Sequence, residues 1–534
     1  MQQPFQKQAW HKRLNAVPQA HDESMGLVLI FGVLIALSGA ALGIALSAKV
    51  NLFALGALAA VLIFATIRAP IFSVSLAAST DLTCYYISGL TKFPPRIYLI
   101  SLVALISIPK FIILFRSTPF IRKIVAAILA FSAVRFAVDF YWGADLASLA
   151  RVTLSRQISP MLVFLCCATY ANTRKNLTLL LMALFAATAI SALFGILQFH
   201  GVNFAWDFHH WLQSFAKGDP SESEGNMFSL YVLGKLLRPT GLANTTIEFS
   251  YHLVSALGFA FPILLLSSNS RMARTILGGM LIIIIIATIE SLTRSAIVGM
   301  LIIIASTLWA RTKISKPNSQ ARIRRSPWLI TIFLLASMIV SFETLGPSEE
   351  ASRVYKYEDN TRISLYISTL RMLRIYPLGT GGGRREQVVL EHQADLMDVP
   401  DPTALLMFAP HNGFLLAAFT WGLPALFISL MLFMALFKEA KQLRNRVQQI
   451  PPWLSNVGII FPIFLIGYLP NTMFHNGFPL NGDIVFWYYV GAFAAVARTL
   501  KWTQANGSAA RTHMATADAQ SPPTGPTEDS PLTA

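Results

Sequence analysis

The chain is dominated by apolar segments that are each about as long as a membrane-spanning helix. A helix needs about 20 apolar residues to cross the roughly 30 Å hydrocarbon layer of a bilayer. By this criterion the candidate spans are 25–47, 50–67, 70–90, 97–114, 121–141, 151–171, 177–199, 246–267, 274–290, 295–310, 327–343, 412–437, 455–475 and 482–500. The span 70–90 carries Asp81 and the span 295–310 is short, so we expect about 12–14 helices. The sequence therefore predicts an all-α polytopic integral membrane protein.

The composition excludes an ordinary soluble protein. Of the 534 residues, 54% are hydrophobic and 13% are charged, whereas soluble domains average about 25% charged residues. A net charge of +16 would suggest nucleic-acid binding in a soluble chain, but in a membrane protein it usually marks cytoplasmic loops. The three cysteines lie in apolar segments, which argues against a disulfide framework or a metal site.

The distribution of Lys and Arg predicts the orientation. The basic clusters at 311–325 and 438–446 place both of these loops in the cytoplasm, and the segment between them outside. Two outer segments, 200–245 and 344–411, are too long to be plain connectors, so we expect function there. Both termini are then cytoplasmic. The expected organisation is a cytoplasmic segment at 1–24, a transmembrane domain at 25–500 and a disordered cytoplasmic tail at 501–534.

The second outer segment predicts a helix of its own. Potential N-caps lie at 359–361, and the pattern ends at Pro377, before a glycine-rich turn. Apolar residues recur between these limits at helical spacing: Ile363, Ile367, Leu370 and Leu373. We expect an amphipathic helix that lies along the outer membrane face.

Three residues at the outer interface have the chemistry of a transfer site. Arg238, Arg294 and His411 come from three separate loops. A guanidinium is always charged and can form two parallel hydrogen bonds to a phosphate oxyanion. A histidine can accept a proton near neutral pH. Together they would suit transfer of a group from a diphosphate, although an arginine at a helix end can also be a headgroup contact, and a histidine at a loop end a structural residue.

Other polar residues are weaker candidates. His475 is the main rival to His411 as a base, and Glu290 has the spacing to orient Arg294. Glu248 shares a helix face with His252, where the pair would line a substrate entrance or join two helices.

Charged residues elsewhere have structural interpretations. Arg135 and Asp139 are four residues apart in one span and are expected to form a structural ion pair. Three arginines on the amphipathic helix would suit anionic glycolipid, but a solvated face is the simpler interpretation: Arg362, Arg371 and Arg374.

Four motifs occur in the order typical of one known family. They are RPTGLANTTIEFSYHL, SLTRSAIVG, TRISLYISTLRMLRIYPLGTGGG and PHNGFLLAAFTWGLPA. Through these four motifs the chain resembles the O-antigen ligase and polymerase superfamily. Its members are bacterial membrane glycosyltransferases that use undecaprenyl-diphosphate-linked glycans. The ligases have His, then Asn, Ser or Gln, then nine residues and Gly, and His411, Asn412 and Gly422 have this spacing. Ala425 departs from the Gly, Thr or Tyr that the ligases have next, so ligase and polymerase both stay open.

The resemblance implies a fold, a reaction and roles for the residues. It implies a GT-C-like helical fold in the bacterial inner membrane and a reaction at the periplasmic face that needs no metal, nucleotide or other cofactor. His411 would be the general base for the acceptor hydroxyl, with Asn412 beside it, and Arg238 and Arg294 would hold the diphosphate. The partners would be the lipid-linked donor, lipid A core or a second lipid-linked glycan as acceptor, and membrane lipids, without nucleic acid.

Two other classes of function explain the sequence less well. A secondary transporter would have a midplane binding site between interrupted helices in the two halves of the chain, and no such matching pair is evident. A non-catalytic scaffold does not account for two long outer loops that carry these motifs.

Overall fold

The computed structural model describes residues 63–83, 95–213, 238–266, 271–315, 349–445 and 457–499. The predicted spans 25–47 and 327–343, most of 50–67 and the end of 70–90 lie outside these residues, as do both ends of the chain.

The described residues form helices and no strand. In chain order they are α1 (Pro70–Thr83), α2 (Pro95–Ser117), α3 (Pro119–Tyr141), α4 (Leu146–Tyr170), α5 (Arg174–Phe199), α6 (Asn203–Gln213), α7 (Thr246–Leu266), α8 (Arg271–Glu290), α9 (Arg294–Ser315), α10 (Glu349–Ile375), α11 (Arg385–Glu391), α12 (Ala404–Met407), α13 (Gly413–Asn445), α14 (Val457–Phe474) and α15 (Ile484–Thr499).

Nine helices in the described part of the chain are long and apolar enough to cross a membrane: α2 to α5, α7 to α9, α13 and α14. Helix α15 is apolar but shorter. All nine coincide with predicted spans, so the chain is an all-α, multi-pass membrane protein. Its likeness to a GT-C fold stays a prediction.

Two boundaries differ from the sequence prediction. The span predicted at 295–310 is longer, because α9 begins at Arg294 and ends at Ser315. The predicted start of the amphipathic helix at 359–361 is wrong, because α10 begins at Glu349. The sequence from this residue, Glu-Glu-Ala-Ser-Arg, contains residue types with high helix propensity. The end of α10 before Pro377 is as predicted.

Helix α14 packs against α7, α9 and α13. Where α9 and α14 cross, a Cβ on Gly299 would lie 2.5 Å from the carbonyl oxygen of Gly467. Only a residue without a side chain allows this approach, as is common between membrane helices. The close crossing brings the end of α14 next to the start of α9.

Candidate active site

The N-terminus of α13 carries the predicted base. Asn412 is the N-cap: its Oδ1 accepts hydrogen bonds from the backbone N–H groups of Phe414 and Leu415, each 3.0 Å long. His411, one residue earlier, is half-buried and has a φ of +45°, which side-chain-bearing residues rarely adopt. The cap therefore fixes the backbone from which His411 projects.

The turn between α8 and α9 is the second strained segment. Leu292 has a φ of +52°, and it and His411 are the two non-glycine residues with positive φ in the described ranges. Such a conformation costs on the order of 1–3 kcal/mol and occurs preferentially at functional sites. Arg294, the first residue of α9, follows this turn and is half-buried.

His475, just beyond the end of α14, contacts this turn. Its Nε2 lies 2.8 Å from the hydroxyl oxygen of Ser295, the neighbour of Arg294. The His475 side chain is buried, and its Nδ1 has no hydrogen-bond partner. The same is true of Oδ1 of Asn476 and of both amide atoms of Asn471. Buried polar atoms are paired in the great majority of cases, so this concentration marks a site.

Arg238 precedes a turn whose backbone forms hydrogen bonds with Gln198, at the end of α5. Oε1 of Gln198 accepts the backbone N–H groups of Thr240 and Gly241, both at 2.9 Å, and its Nε2 donates to the Gly241 carbonyl at 3.1 Å. His209 of α6 lies within hydrogen-bond distance of the Thr240 hydroxyl, at 3.2 Å. Arg238 itself is half-buried.

The charge of Arg362 in α10 acts on both histidines. Burial lowers the pKa of His411 to about 4, and the positive charge of Arg362 contributes. Burial also lowers the pKa of His475 to about 3, with contributions from Arg362, His411 and Arg238. The four residues therefore share one positively charged neighbourhood, in which both histidines are neutral at pH 7.

The supporting acidic residues have other contacts. Oε1 of Glu290 lies 3.1 Å from Nε2 of His200. Glu248 takes part in the N-terminal cap of α7: its N–H donates to the Thr245 hydroxyl, and its Oε2 accepts the N–H of Asn244. His252, on the same face, is buried, and its Nδ1 has no hydrogen-bond partner.

The predicted ion pair between Arg135 and Asp139 is present, with 3.6 Å between Nε and Oδ2. It also connects distant parts of the chain. Asp139 accepts hydrogen bonds from the N–H of Gly382, at 2.8 Å, and from the indole N–H of Trp421, at 3.3 Å. Arg135 donates to Oδ1 of Asn481 at 3.1 Å. We call these five residues the junction.

Next to the junction, α13 is broken at Gly422, whose φ is +85°. The N–H groups of Thr380 and Gly381 donate to the carbonyls of Phe419 and Thr420, and that of Leu423 donates to Pro377. A Cβ on Gly422 would lie 2.5 Å from the backbone of Leu378. The glycine-rich turn thus supplies the hydrogen bonds that the break leaves open.

Arg238 and His411 are near enough to His475 to lower its pKa electrostatically, and Arg294 is the sequence neighbour of Ser295, which His475 contacts. Sequence reasoning missed Arg362 as a member of this group, because its position on a helix flank depends on how α10 packs. It also missed Gln198. The only sequence feature that could have indicated this residue is its position as a polar residue at the end of an apolar span.

A family model described as O-antigen ligase matches residues 279–430. This stretch contains Glu290, Arg294, Arg362, His411 and the Gly422 break, and leaves Arg238, Glu248 and His475 outside. A comparison with curated proteins gave no match. Over these residues the match supports a relationship to the O-antigen ligase superfamily.

Proposed function

We propose that this protein transfers a glycan from undecaprenyl diphosphate to a sugar hydroxyl of an acceptor, at the periplasmic face of the bacterial inner membrane, and that it is an O-antigen ligase with lipid A core as acceptor. The observation that carries the proposal is the match of residues 279–430 to the O-antigen ligase family, and the electrostatic influence of Arg362 on His411 and His475, and of Arg238 on His475, supports it.

In the proposed reaction, the acceptor hydroxyl oxygen attacks the anomeric carbon of the donor sugar. The bond from this carbon to the diphosphate oxygen breaks, and the electron pair leaves on the diphosphate. The hydroxyl proton passes to His411. Guanidinium groups then stabilise the charge on the leaving group, which is the role of Arg238, Arg294 and Arg362.

His411 is better placed than His475 to act as the general base. His411 is half-buried, so a substrate can reach it, whereas His475 is only 8% exposed and its Nε2 contacts Ser295. A pKa of about 4 makes His411 a weak base in the free protein. A bound diphosphate nearby favours the protonated imidazolium and raises this pKa, so the base strengthens when the donor is present.

The proposal is tested by replacing one arginine on each of two faces of the same helix. Arg362→Gln removes the charge that acts on the histidines, and Arg374→Gln removes an exposed charge on the open face of α10. In proteoliposomes that contain an undecaprenyl-diphosphate-linked glycan, we expect Arg362→Gln to lower kcat/KM about 100-fold and Arg374→Gln to change it less than about twofold. Equal effects of the two substitutions on kcat/KM would contradict the assignment of Arg362 to the site.

The acceptor distinguishes a ligase from a polymerase of the same superfamily. In cells that carry His411→Ala or Arg238→Ala at unchanged expression, loss of a ligase leaves lipid-linked polymer that is not attached to lipid A core. Loss of a polymerase leaves single repeat units. Gel analysis of lipopolysaccharide separates the two outcomes, and normal glycan bands from both variants would contradict the proposed transfer.

A further inference from the structure

Helix α10 has apolar side chains on both of its faces. Its face toward the protein combines Leu365 and Met372 with buried hydroxyl groups at Thr361, Ser364, Ser368 and Thr369. Its open face is an apolar stripe formed by Ile363, Ile367 and Leu370, which are 52%, 36% and 51% exposed. A helix beside water normally has a polar open face, so the stripe requires apolar surroundings.

One flank of α10 connects this stripe to the candidate active site. The charge of Arg362 acts on His411 and His475, and the hydroxyl of Tyr366, one turn further along, lies 3.5 Å from the carbonyl of Met473. Three apolar residues that are close in sequence to the two histidines are also exposed: Met473, Phe474 and Phe408.

We propose that the stripe binds the polyprenyl chain of the lipid-linked donor, with the diphosphate at Arg362. The inference rests on the proposed function. The charge distribution favours this occupant, because Arg362 immediately precedes Ile363, the first residue of the apolar stripe. The stripe from Ile363 to Leu370 is about 10 Å long at 1.5 Å per helical residue. An anionic head with a long apolar tail fits both parts together.

Bulk lipid is the other possible occupant, and the chain offers a matched control for it. Ile282 and Ile286 of α8 are 61% and 40% exposed and have the same four-residue spacing as Ile363 and Ile367. They lie on a membrane-spanning helix. Because all four side chains are exposed, replacing them leaves no cavity in the core.

The test compares undecaprenyl diphosphate with inorganic diphosphate, which shares the head and has no tail. Binding of both is measured in phosphatidylcholine nanodiscs for the wild-type protein, Ile363→Ser with Ile367→Ser, Ile282→Ser with Ile286→Ser, and Arg362→Gln. We expect the stripe variant to lose about tenfold in affinity for undecaprenyl diphosphate and to keep its affinity for inorganic diphosphate. The α8 variant should keep both affinities, and Arg362→Gln should lose both.

Three results would overturn the inference. Unchanged binding of undecaprenyl diphosphate by the stripe variant, or an equal loss in the α8 variant, would assign the stripe to bulk lipid. Equal losses for both diphosphates in the stripe variant would show a general disturbance of the site. Failure of the wild-type protein to bind either diphosphate would contradict the proposed donor itself, and the inference with it.

Discussion

Residues 413–421 of α13 connect the candidate active site to the junction: His411 and Asn412 precede this stretch, and Trp421 ends it. The two regions are built differently. At the junction, Arg135 and Asp139 are buried, and their polar groups contact Gly382, Trp421 and Asn481. At the active site, Nδ1 of His475 and the amide of Asn471 are buried without partners. Both regions contain buried polar groups, but only the second leaves polar atoms for another molecule. The junction is therefore expected to determine stability, and the active site to determine activity.

The largest expected effect on stability is at the break in α13. Gly422→Ala places a Cβ 2.5 Å from the Leu378 backbone at a φ of +85°. We expect the free energy of unfolding to fall by about 3 kcal/mol, measured by thermal unfolding of the purified protein. Gly383→Ala is the control, since no atom lies within 4 Å of its added Cβ. Equal stability of the two variants would contradict the role of the glycine-rich turn.

A smaller loss is expected from the ion pair of the junction. Asp139→Asn keeps an acceptor for the Gly382 N–H but removes the charge that pairs with Arg135. We expect a loss of about 1–3 kcal/mol in stability, with transfer activity per folded molecule within about threefold of wild type. Asp145→Asn, at the exposed N-cap of α4, should change neither, because Asn caps as well as Asp. If Asp139→Asn abolished transfer while the protein stayed folded, the division between the two regions would fail.

The smallest effect is a shift in pH dependence. The pKa of His411 is lowered to about 4, so the free protein holds a neutral, competent base until the pH falls toward that value. We expect kcat/KM to stay level from pH 8 to about pH 5 and then decline, whereas an ordinary histidine would give a decline near pH 6.5. The bound diphosphate raises the pKa, so kcat should decline at a higher pH than kcat/KM does. Identical profiles that both decline near pH 6.5 would contradict the lowered pKa that burial and the charge of Arg362 give His411.

Local sequence patterns predicted much of the fold. Runs of about 20 apolar residues located the nine spanning helices, because the bilayer fixes their length. The four-residue spacing placed Arg135 next to Asp139, because helix geometry fixes which side chains meet. Their partners Gly382, Trp421 and Asn481 are far away in the chain, and no periodicity indicates such contacts.

The site was predictable only in part for the same reason. The chemistry of Arg238, Arg294 and His411 is visible in the sequence, but their arrangement depends on how α7, α9, α13 and α14 meet. The apolar spacing on α10 predicted an amphipathic helix, whereas the buried hydroxyl groups on its inward face, and the action of the Arg362 charge on the histidines, follow from tertiary packing.

The central claim is that His411 takes the proton of the acceptor hydroxyl, and single-turnover transfer by His411→Ala tests it most directly. The rate is measured with saturating undecaprenyl-diphosphate-linked glycan and acceptor, and thermal unfolding is measured on the same preparations. His392→Ala, which changes another histidine of the same outer segment, serves as control. We predict a 10²–10⁴-fold slower transfer for His411→Ala, with stability close to wild type and little change in the control. Transfer at the wild-type rate by folded His411→Ala would contradict the account.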